Sequence, residues 1–401
     1  MSEGKNPVHT KTLGKARNND DKELVGYKYC VDSSYSYDYE PLNRNLGAAR
    51  WMYNHYAGAY KRDLEAGIKP EIMTPGAYKK LPECPEWLKE IDSSNLANVQ
   101  IRFATAINRF RKGIAGFPRF KNKRDRHDSY TTSMTNNNIK LVSNTDGTFL
   151  RLPRIAEPLK LVYHRPIPAD GTIKSVTVSR EPDGKYYAAI LVASPKKIPV
   201  RKTERQKAIG LDMSLPRLYV DSNGNAADYE KPYHRNEKRL AREQRRLSRM
   251  KKGSGNYEKQ KLRIAKLHAK TKHQRKDTLH KLSSKLTDEY DIIGIEDLDM
   301  NALKQALRFG KSVSDNGWGM FTQMLEYKSG RKGKELIRVD KWFPSSKKCS
   351  CCGYIHKELK LEDREYVCPA CGHVMDRDLQ AAVNIREEAV RIHTASAGPA
   401  A

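Results

Sequence analysis

Two short apolar runs in this chain each end in a carboxylate. Ala208-Ile209-Gly210-Leu211 leads into Asp212, and Ile292-Ile293-Gly294-Ile295 leads into Glu296. Each run has the length and composition of a buried strand, and each acid stands where its strand emerges. This limits the C-terminal half to a sheet with helical insertions, an α/β arrangement. A third acid, Asp378, opens a helix-like stretch, Leu379 to Val390, where the helix dipole favours an anion. Divalent cations such as magnesium need hard oxygen ligands, and carboxylates from distant strand ends can supply them at one edge of a sheet. Two such ions roughly 3.5–4 Å apart suit phosphodiester hydrolysis. Taken singly, each acid is more simply a strand-end carboxylate or an N-cap, and Asp221, Asp297, Asp299 and Asp376 compete with them. The joint pattern carries the expectation.

Charge points to the substrate. The 401 residues include 75 Lys+Arg against 48 Asp+Glu, a net charge of +27. Self-repulsion of that size calls for an anionic partner. Nucleic acid fits better than membrane, since no run approaches the roughly 18 apolar residues of a spanning helix. Met1 to Asp21 is polar, has no apolar h-region and reads as a disordered basic tail, which argues against secretion. With only 38% hydrophobic residues, part of the fold is expected to need bound polyanion for rigidity. The densest basic segment, Arg235 to Lys281, reads as a helical hairpin broken at Gly253-Ser254-Gly255. Leu240, Leu247, Leu262, Ile264 and Leu267 give it one packed stripe, with cations such as Arg242, Arg245, Arg246 and Arg249 free for phosphate. A merely solvated helix face is the bland alternative.

Seven cysteines are present, five of them within a short C-terminal segment. Cys349-x2-Cys352, fifteen residues, then Cys368-x2-Cys371 is the spacing of a closed structural zinc site. Gly353 and Gly372 follow the two halves and allow tight turns. Cys351 is the odd one out. Clustered thiols in a long basic chain read as metal ligands in a reducing cytoplasm, not as disulfides.

The N-terminal half divides by pattern. Residues 24 to 39 read as extended. Leu42 to Leu64 reads as a helix with an aromatic face at Leu46, Ala49, Trp51, Tyr53 and Tyr56. Asn95 to Arg111 reads as a second helix, with a stripe of Leu96, Val99, Phe103, Ile107 and Phe110. From 128 to 194, short strands alternate with the turns Asn144–Gly147, Ala169–Gly171 and Pro182–Gly184, which predicts a small antiparallel barrel or sheet. Lys196 to Lys207 is a basic linker.

The motifs together resemble the TnpB family of transposon-encoded proteins and their relatives, the miniature type V CRISPR nucleases. The likeness rests on Ile209-Gly210-Leu211-Asp212, Ile293-Gly294-Ile295-Glu296-Asp297-Leu298, Ser312 to Gly319, Phe343-Pro344-Ser345-Ser346, the cysteine pairs, and Asp376-Arg377-Asp378 leading to Ala381-Ala382-Val383-Asn384-Ile385. In the N-terminal half it rests on Leu46 to Arg50, Tyr53-Asn54, Gly116 to Lys121, and Asn136 to Ile139. The resemblance implies an RNA-guided DNA endonuclease of α+β multidomain build. It implies an RNase H-like (RuvC) nuclease over 206–345 and 376–392, with a zinc-knuckle, target-loading insertion at 346–375. A helical recognition lobe would occupy 43–123, and an oligonucleotide-binding-like β-barrel wedge 23–42 and 124–205. Tails at 1–22 and 393–401 complete the division. Asp212, Glu296 and Asp378 would be the catalytic acids and hold Mg2+, two ions in all. Cys349, Cys352, Cys368 and Cys371 would hold one Zn2+. Thr135, Asn136 and the helix around Ser93 to Gln100 fall where the family contacts a motif flanking the DNA target, though a capped turn explains Thr135 and Asn136 as well. Arg119 and Lys121 join them as nucleic-acid contacts. The implied partners are guide RNA and double-stranded DNA; one protein chain per RNA is the favoured arrangement, with the copy number left open. Gln380 departs from the family's Asn, and Lys328 to Gly333 is more basic than the family's pattern. Two rivals stay open: an RNA-guided repressor that binds without cutting, and a DNA-strand transposase.

Overall fold

In this computed structural model the described residues are 22–123, 128–196, 206–299, 316–360 and 362–397. The tail at 1–21, most of the basic linker (197–205), residues 312–315 of the Ser312–Gly319 stretch and 398–401 lie outside them. The chain forms two compact units divided between Lys196 and Lys197, each with its own core.

The first unit opens with strand β1 (Lys22–Cys30) and helix α1 (Glu40–Glu65). Two single-turn helices follow, α2 (Pro75–Tyr78) and α3 (Glu86–Lys89), then helix α4 (Ser93–Arg111). Pro41 lies in the first turn of α1, where its missing N–H costs no intrahelical hydrogen bond. The buried face of α1 is Leu42, Leu46, Ala49, Met52, Tyr56 and Tyr60. The expected aromatic face is therefore rotated: Trp51 and Tyr53 are only partly buried, because a three- and four-residue period from Leu42 runs through Met52. Asp92 caps α4 by accepting from the Ser94 N–H at 3.0 Å. Leu96, Val99, Phe103 and Ile107 are buried as the spacing predicts.

Strands β2 (Asp128–Ser133), β3 (Lys140–Asn144), β4 (Gly147–Arg151), β5 (Leu159–Leu161), β6 (Thr172–Arg180) and β7 (Tyr186–Pro195) complete this unit. They make a four-stranded sheet, β1-β7-β6-β2, and a three-stranded one, β3-β4-β5, antiparallel throughout. A bridge between Val31 and Leu161 links the end of β1 to β5. The turns fall where the sequence puts them. Gly147 and Gly184 take positive φ in the β3–β4 and β6–β7 connections, a conformation glycine adopts without steric cost.

The second unit starts with a hairpin of β8 (Ala208–Ser214) and β9 (Leu218–Asp221). Next come helices α5 (Pro232–Ser248) and α6 (Gly255–Glu289), strand β10 (Ile292–Glu296), helix α7 (Trp318–Lys332) and strand β11 (Glu335–Val339). A short hairpin, β12 (Glu365–Val367) and β13 (Val374–Asp376), leads into helix α8 (Arg377–Ala397). The α5–α6 break lies at the predicted glycines, where Ser254 caps α6 by accepting from the Tyr257 N–H at 3.2 Å. The sheet order is β11-β10-β8-β9, with β10 parallel to both neighbours. Helix α8 runs through His393 to Ala397, into the segment expected as a tail, and His393 Nδ1 meets Glu335 Oε2 at 2.8 Å.

Alternation along β8 and β10 sorts the two faces of this sheet. Ile209, Leu211, Ile293 and Ile295 pack with Leu279 and Leu286 of α6 and with Trp318, Phe321 and Leu325 of α7. The opposite face carries Ile292, Ile337 and Val339 against Ile385 and Ala389 of α8. Gly210 and Gly294 stand side by side on that second face. A Cβ on Gly210 would lie 2.1 Å from the Ala382 carbonyl oxygen, and one on Gly294 would lie 2.8 Å from Ala389 Cβ. The two glycines thus let α8 lie directly on the sheet backbone.

Candidate active site

Side chains two apart on a strand share a face, so Gly210 and Asp212 point the same way, as do Gly294 and Glu296. The glycines that admit α8 therefore also aim two acids toward its N-terminal end. Strand β8 continues to Ser214, so Asp212 lies inside the strand, opposite Val220, and not at its close. Glu296 is the last residue of β10, in register with Val339 of β11. Asp378 is in the first turn of α8. The cap itself is Asp376, whose Oδ1 accepts from the N–H groups of Asp378 and Leu379, both at 3.0 Å. This frees the Asp378 carboxylate from a capping role.

The Asp212 carboxyl feels the other two acids. Burial pushes the Asp212 carboxyl well above the usual carboxylate range, and the nearby Glu296 and Asp378 charges push it further; the Arg377 guanidinium opposes them. An acid raised by burial and then by like charges is a site that a cation would relieve. The rival acids are engaged elsewhere. Asp221 Oδ1 accepts from the Asn223 and Asn225 N–H groups, each at 2.9 Å, and Asp297 lies 3.7 Å from Arg338.

Other side chains hold the site in shape. Ser345 Oγ donates to Glu296 Oε1. Asn384, fully buried in α8, donates to the carbonyls of Ser345 and Lys348, both at 2.7 Å. Gln380 is fully buried as well; it donates to the Lys348 carbonyl at 2.7 Å and accepts from Ser350 Oγ at 3.1 Å. Gln380 therefore ties α8 to the cysteine loop. Beside Asp378 lies a cavity of about 350 Å³ whose lining includes Ser214, Arg217, Arg364 and Asp376. Ser345, Asn384, Arg217 and Arg364 were not singled out individually as site residues from sequence. In a chain this basic, two more arginines carry no signal, and Ser345 and Asn384 stand out only as parts of their motifs.

Among the described residues, the four cysteines are the one group of three or more His, Cys, Asp or Glu side chains whose ligand atoms all lie within 4.8 Å of one another. The three acids are neighbours without forming so closed a set. Cys349 Sγ lies 3.7 Å from Cys371 Sγ, and Cys352 Sγ lies 3.6 Å from Cys368 Sγ. A tetrahedral four-thiolate site with metal–sulfur bonds of about 2.3 Å has edges of roughly 3.8 Å. The group can hold a metal ion. Cys351 is exposed and outside it. Burial raises the Cys368 thiol, yet the backbone N–H groups of Cys371 and Ala370 and the adjoining thiols bring it down to about 6.

The residues expected to touch nucleic acid are spread out. Arg242, Arg245, Arg246 and Arg249 are exposed on α5 and at its C-cap, while Leu240, Ile264 and Leu267 bury the inner face of the hairpin. In the first unit, Thr135 and Asn136 are exposed in the β2–β3 turn. Asn136 and Asn137 take positive φ there, and the Asn138 side chain accepts from the Thr135 N–H at 2.9 Å. Arg119 and Lys121 are exposed; the Lys121 backbone N–H donates to Asn54 Oδ1 at 2.7 Å. No helix among the described residues is long and apolar enough to cross a membrane.

Known proteins place the chain. A family described as "Probable transposase" (OrfB_IS605) matches residues 178–307, and one described as "Cas12f1-like, TNB domain" matches 318–385. A protein of Streptomyces pristinaespiralis named "Putative RNA-guided DNA endonuclease" is 33% identical over 352 residues, 86% of this chain and 84% of its own length. InsQ of Escherichia coli K12, named likewise, is 28% identical over 384 residues, 91% and 92% of the two chains. The TnpB-like protein L79 of Acanthamoeba polyphaga mimivirus is 26% identical over 53% of this chain and 42% of its own. In fold the chain is similar to Cas12f1, solved as a Cas12f1-sgRNA-target DNA complex, with a TM-score of 0.57 at 14% identity, covering 86% of this chain and 82% of that one. With this likeness along most of its length, and with the paired glycine-and-acid strands, the cysteine cluster and α8 in place, the chain belongs to the TnpB family.

Proposed function

We propose that the protein is an RNA-guided DNA endonuclease. It binds a structured guide RNA, recognises a short flanking motif in double-stranded DNA, and cuts that DNA by metal-dependent phosphodiester hydrolysis. The observation that carries this reading is that Asp212, on a strand of a strongly basic chain, is raised first by burial and then by the nearby charges of Glu296 and Asp378. The names of the relatives support it.

In this reading residues 206–345 and 376–392 are a RuvC-type nuclease, with the zinc-bearing segment 346–375 inserted. Residues 43–123 form a recognition lobe, and the flanking β-strands a wedge. Asp212, Glu296 and Asp378 hold magnesium. When bound, it supplies Lewis acidity and neutralises charge on the scissile phosphodiester. Ser345 fixes the Glu296 carboxylate, and Asn384 fixes the Ser345 loop. Arg217 and Arg364, beside the cavity at Asp378, offer planar forks suited to phosphate oxygens. Cys349, Cys352, Cys368 and Cys371 hold zinc. Among the described residues, buried Cys349, Leu359, Tyr366 and Cys368 are the core cluster of that segment, too small to fold it without a metal.

The test uses the protein purified with its RNA and that RNA sequenced. A matching target is then supplied with Mg2+. Wild type should cut. Asp212→Ala should lose cleavage and keep target binding, since metal ligands act mainly at the transition state. Cutting by Asp212→Ala at near the wild-type rate would refute the assignment. Target binding without cutting by the wild type would establish the repressor-like alternative.

A further inference from the structure

Trp342 is 80% exposed, the most exposed of the large hydrophobic side chains described. Single exposed apolar residues are ordinary; the position of this one is not. Its loop is fastened at both ends to Glu296. On one side Val339 is the register partner of Glu296, and the Val339 carbonyl accepts from the Asp297 N–H at 2.9 Å. On the other, Ser345 Oγ donates to the Glu296 carboxylate. Trp342 is three residues from each anchor, so its Cα lies within about 11 Å of both at 3.8 Å per residue.

The loop between the anchors is ordered. The Trp342 N–H donates to Asp340 Oδ1 at 2.7 Å, the Phe343 N–H to the Asp340 carbonyl at 3.0 Å, and the Ser345 N–H to the Phe343 carbonyl at 2.8 Å. The indole therefore gains little from the core and is held out on a short, braced turn whose two ends are tied to Glu296 and its neighbour Asp297. Lys341 Nζ sits 5.0 Å from the centre of its ring. An aromatic plane with an adjoining cation matches one nucleotide of a single strand, the base stacking on the ring and the phosphate meeting the amine.

We propose that Trp342, with Lys341, is a positioning residue that stacks on a base of the DNA strand presented to Asp212, Glu296 and Asp378. This rests on the nuclease reading above. DNA is favoured over the guide RNA because the loop is tied to the acid that would act on the DNA.

The test compares wild type, Trp342→Ala and Trp342→Phe as complete protein–RNA complexes. In single-turnover reactions, Trp342→Ala should cut about ten- to a hundredfold more slowly, the range expected for loss of one base–aromatic stack, while guide RNA and target affinity hold. Trp342→Phe should recover most of the rate. In an Asp212→Ala background, target DNA carrying 2-aminopurine at successive positions near the cut should be quenched at one position. Trp342→Ala should abolish that quenching and Trp342→Phe restore it. Unchanged cutting and quenching in Trp342→Ala would overturn the proposal, as would weakened guide RNA binding, which would assign the ring to RNA. The nuclease reading has its own control: if Asp212→Ala cuts, that reading fails whatever Trp342 does.

Discussion

At the residue scale, the acids and the cysteines differ in how much of their role is local. Four thiols at a fixed spacing specify a closed site almost without context, and the Sγ separations of 3.6 and 3.7 Å fit a single tetrahedral ion. Purified protein should accordingly carry about one zinc per chain, measured by atomic emission. Cys351→Ser should keep the metal, and Cys349→Ser or Cys371→Ser should lose it. Loss of zinc in the Cys351 variant alone would show that the ligand set is wrong. The acids are less local. Asp376, Asp378 and Asp221 are alike in sequence, each near a turn or helix start. The structure separates their bonding: Asp376 caps α8 and Asp221 braces a turn, while Asp378 does not cap α8 and its charge acts on Asp212.

At the element scale, two devices set the second unit. The first is the glycine pair beneath α8. Gly210→Ala places a Cβ 2.1 Å from a helix carbonyl oxygen, which only a shift of α8 and β8 apart can relieve. It should cost about 1–3 kcal/mol or more and reduce cleavage by carrying Asp378 away from Asp212. Gly330→Ala is the matched control: it lies within α7 with nothing within 4 Å of the added carbon, and should stabilise by about 0.5–1 kcal/mol. Thermal melts of both variants check the pair, and equal stability would remove the close-approach argument.

The second device is the basic end of α7. Lys328 donates to the His280 carbonyl at 2.6 Å and to Ser283 and Ser284 Oγ at 2.7 and 2.8 Å, and Lys332 reaches Thr287 and Asp288 on α6. The run of cations thus fastens one helix to the other. Burial brings the Lys328 amine down to about 8, and repulsion from Lys332 adds to it. A lowered folded value means stability is greatest above the unfolded value near 10.5 and is lost as pH falls through 8. Lys328→Met should therefore flatten the rise in melting temperature between about pH 8 and 10. A parallel rise in both proteins would show that the amine is not strained by burial.

At the scale of the whole molecule, a net charge of +27 favours an anionic partner, and the guide RNA binding proposed above should be strongly salt-dependent. Replacing Arg242, Arg245, Arg246 and Arg249 with Gln should weaken guide RNA binding and lower the slope of log affinity against log salt by up to roughly 3, one phosphate contact per residue. An unchanged slope, measured by filter binding, would move the RNA path off the α5–α6 hairpin. Much of this molecule was legible in one dimension. Strand runs, glycine turns, the hairpin break at Gly253–Gly255 and the cysteine spacing are local, because backbone preference and metal-ligand reach act over a few residues. The rotated face of α1, the continuation of α8 past His393 and the choice among neighbouring acids were not legible, since packing partners distant in sequence decide them. The sequence by itself determined which residue types could form a sheet edge of acids and a thiolate cluster in a basic chain. Only the tertiary structure decided that Gly210 and Gly294 would lie side by side under α8. That close approach of backbones brings the Glu296 and Asp378 charges to bear on Asp212.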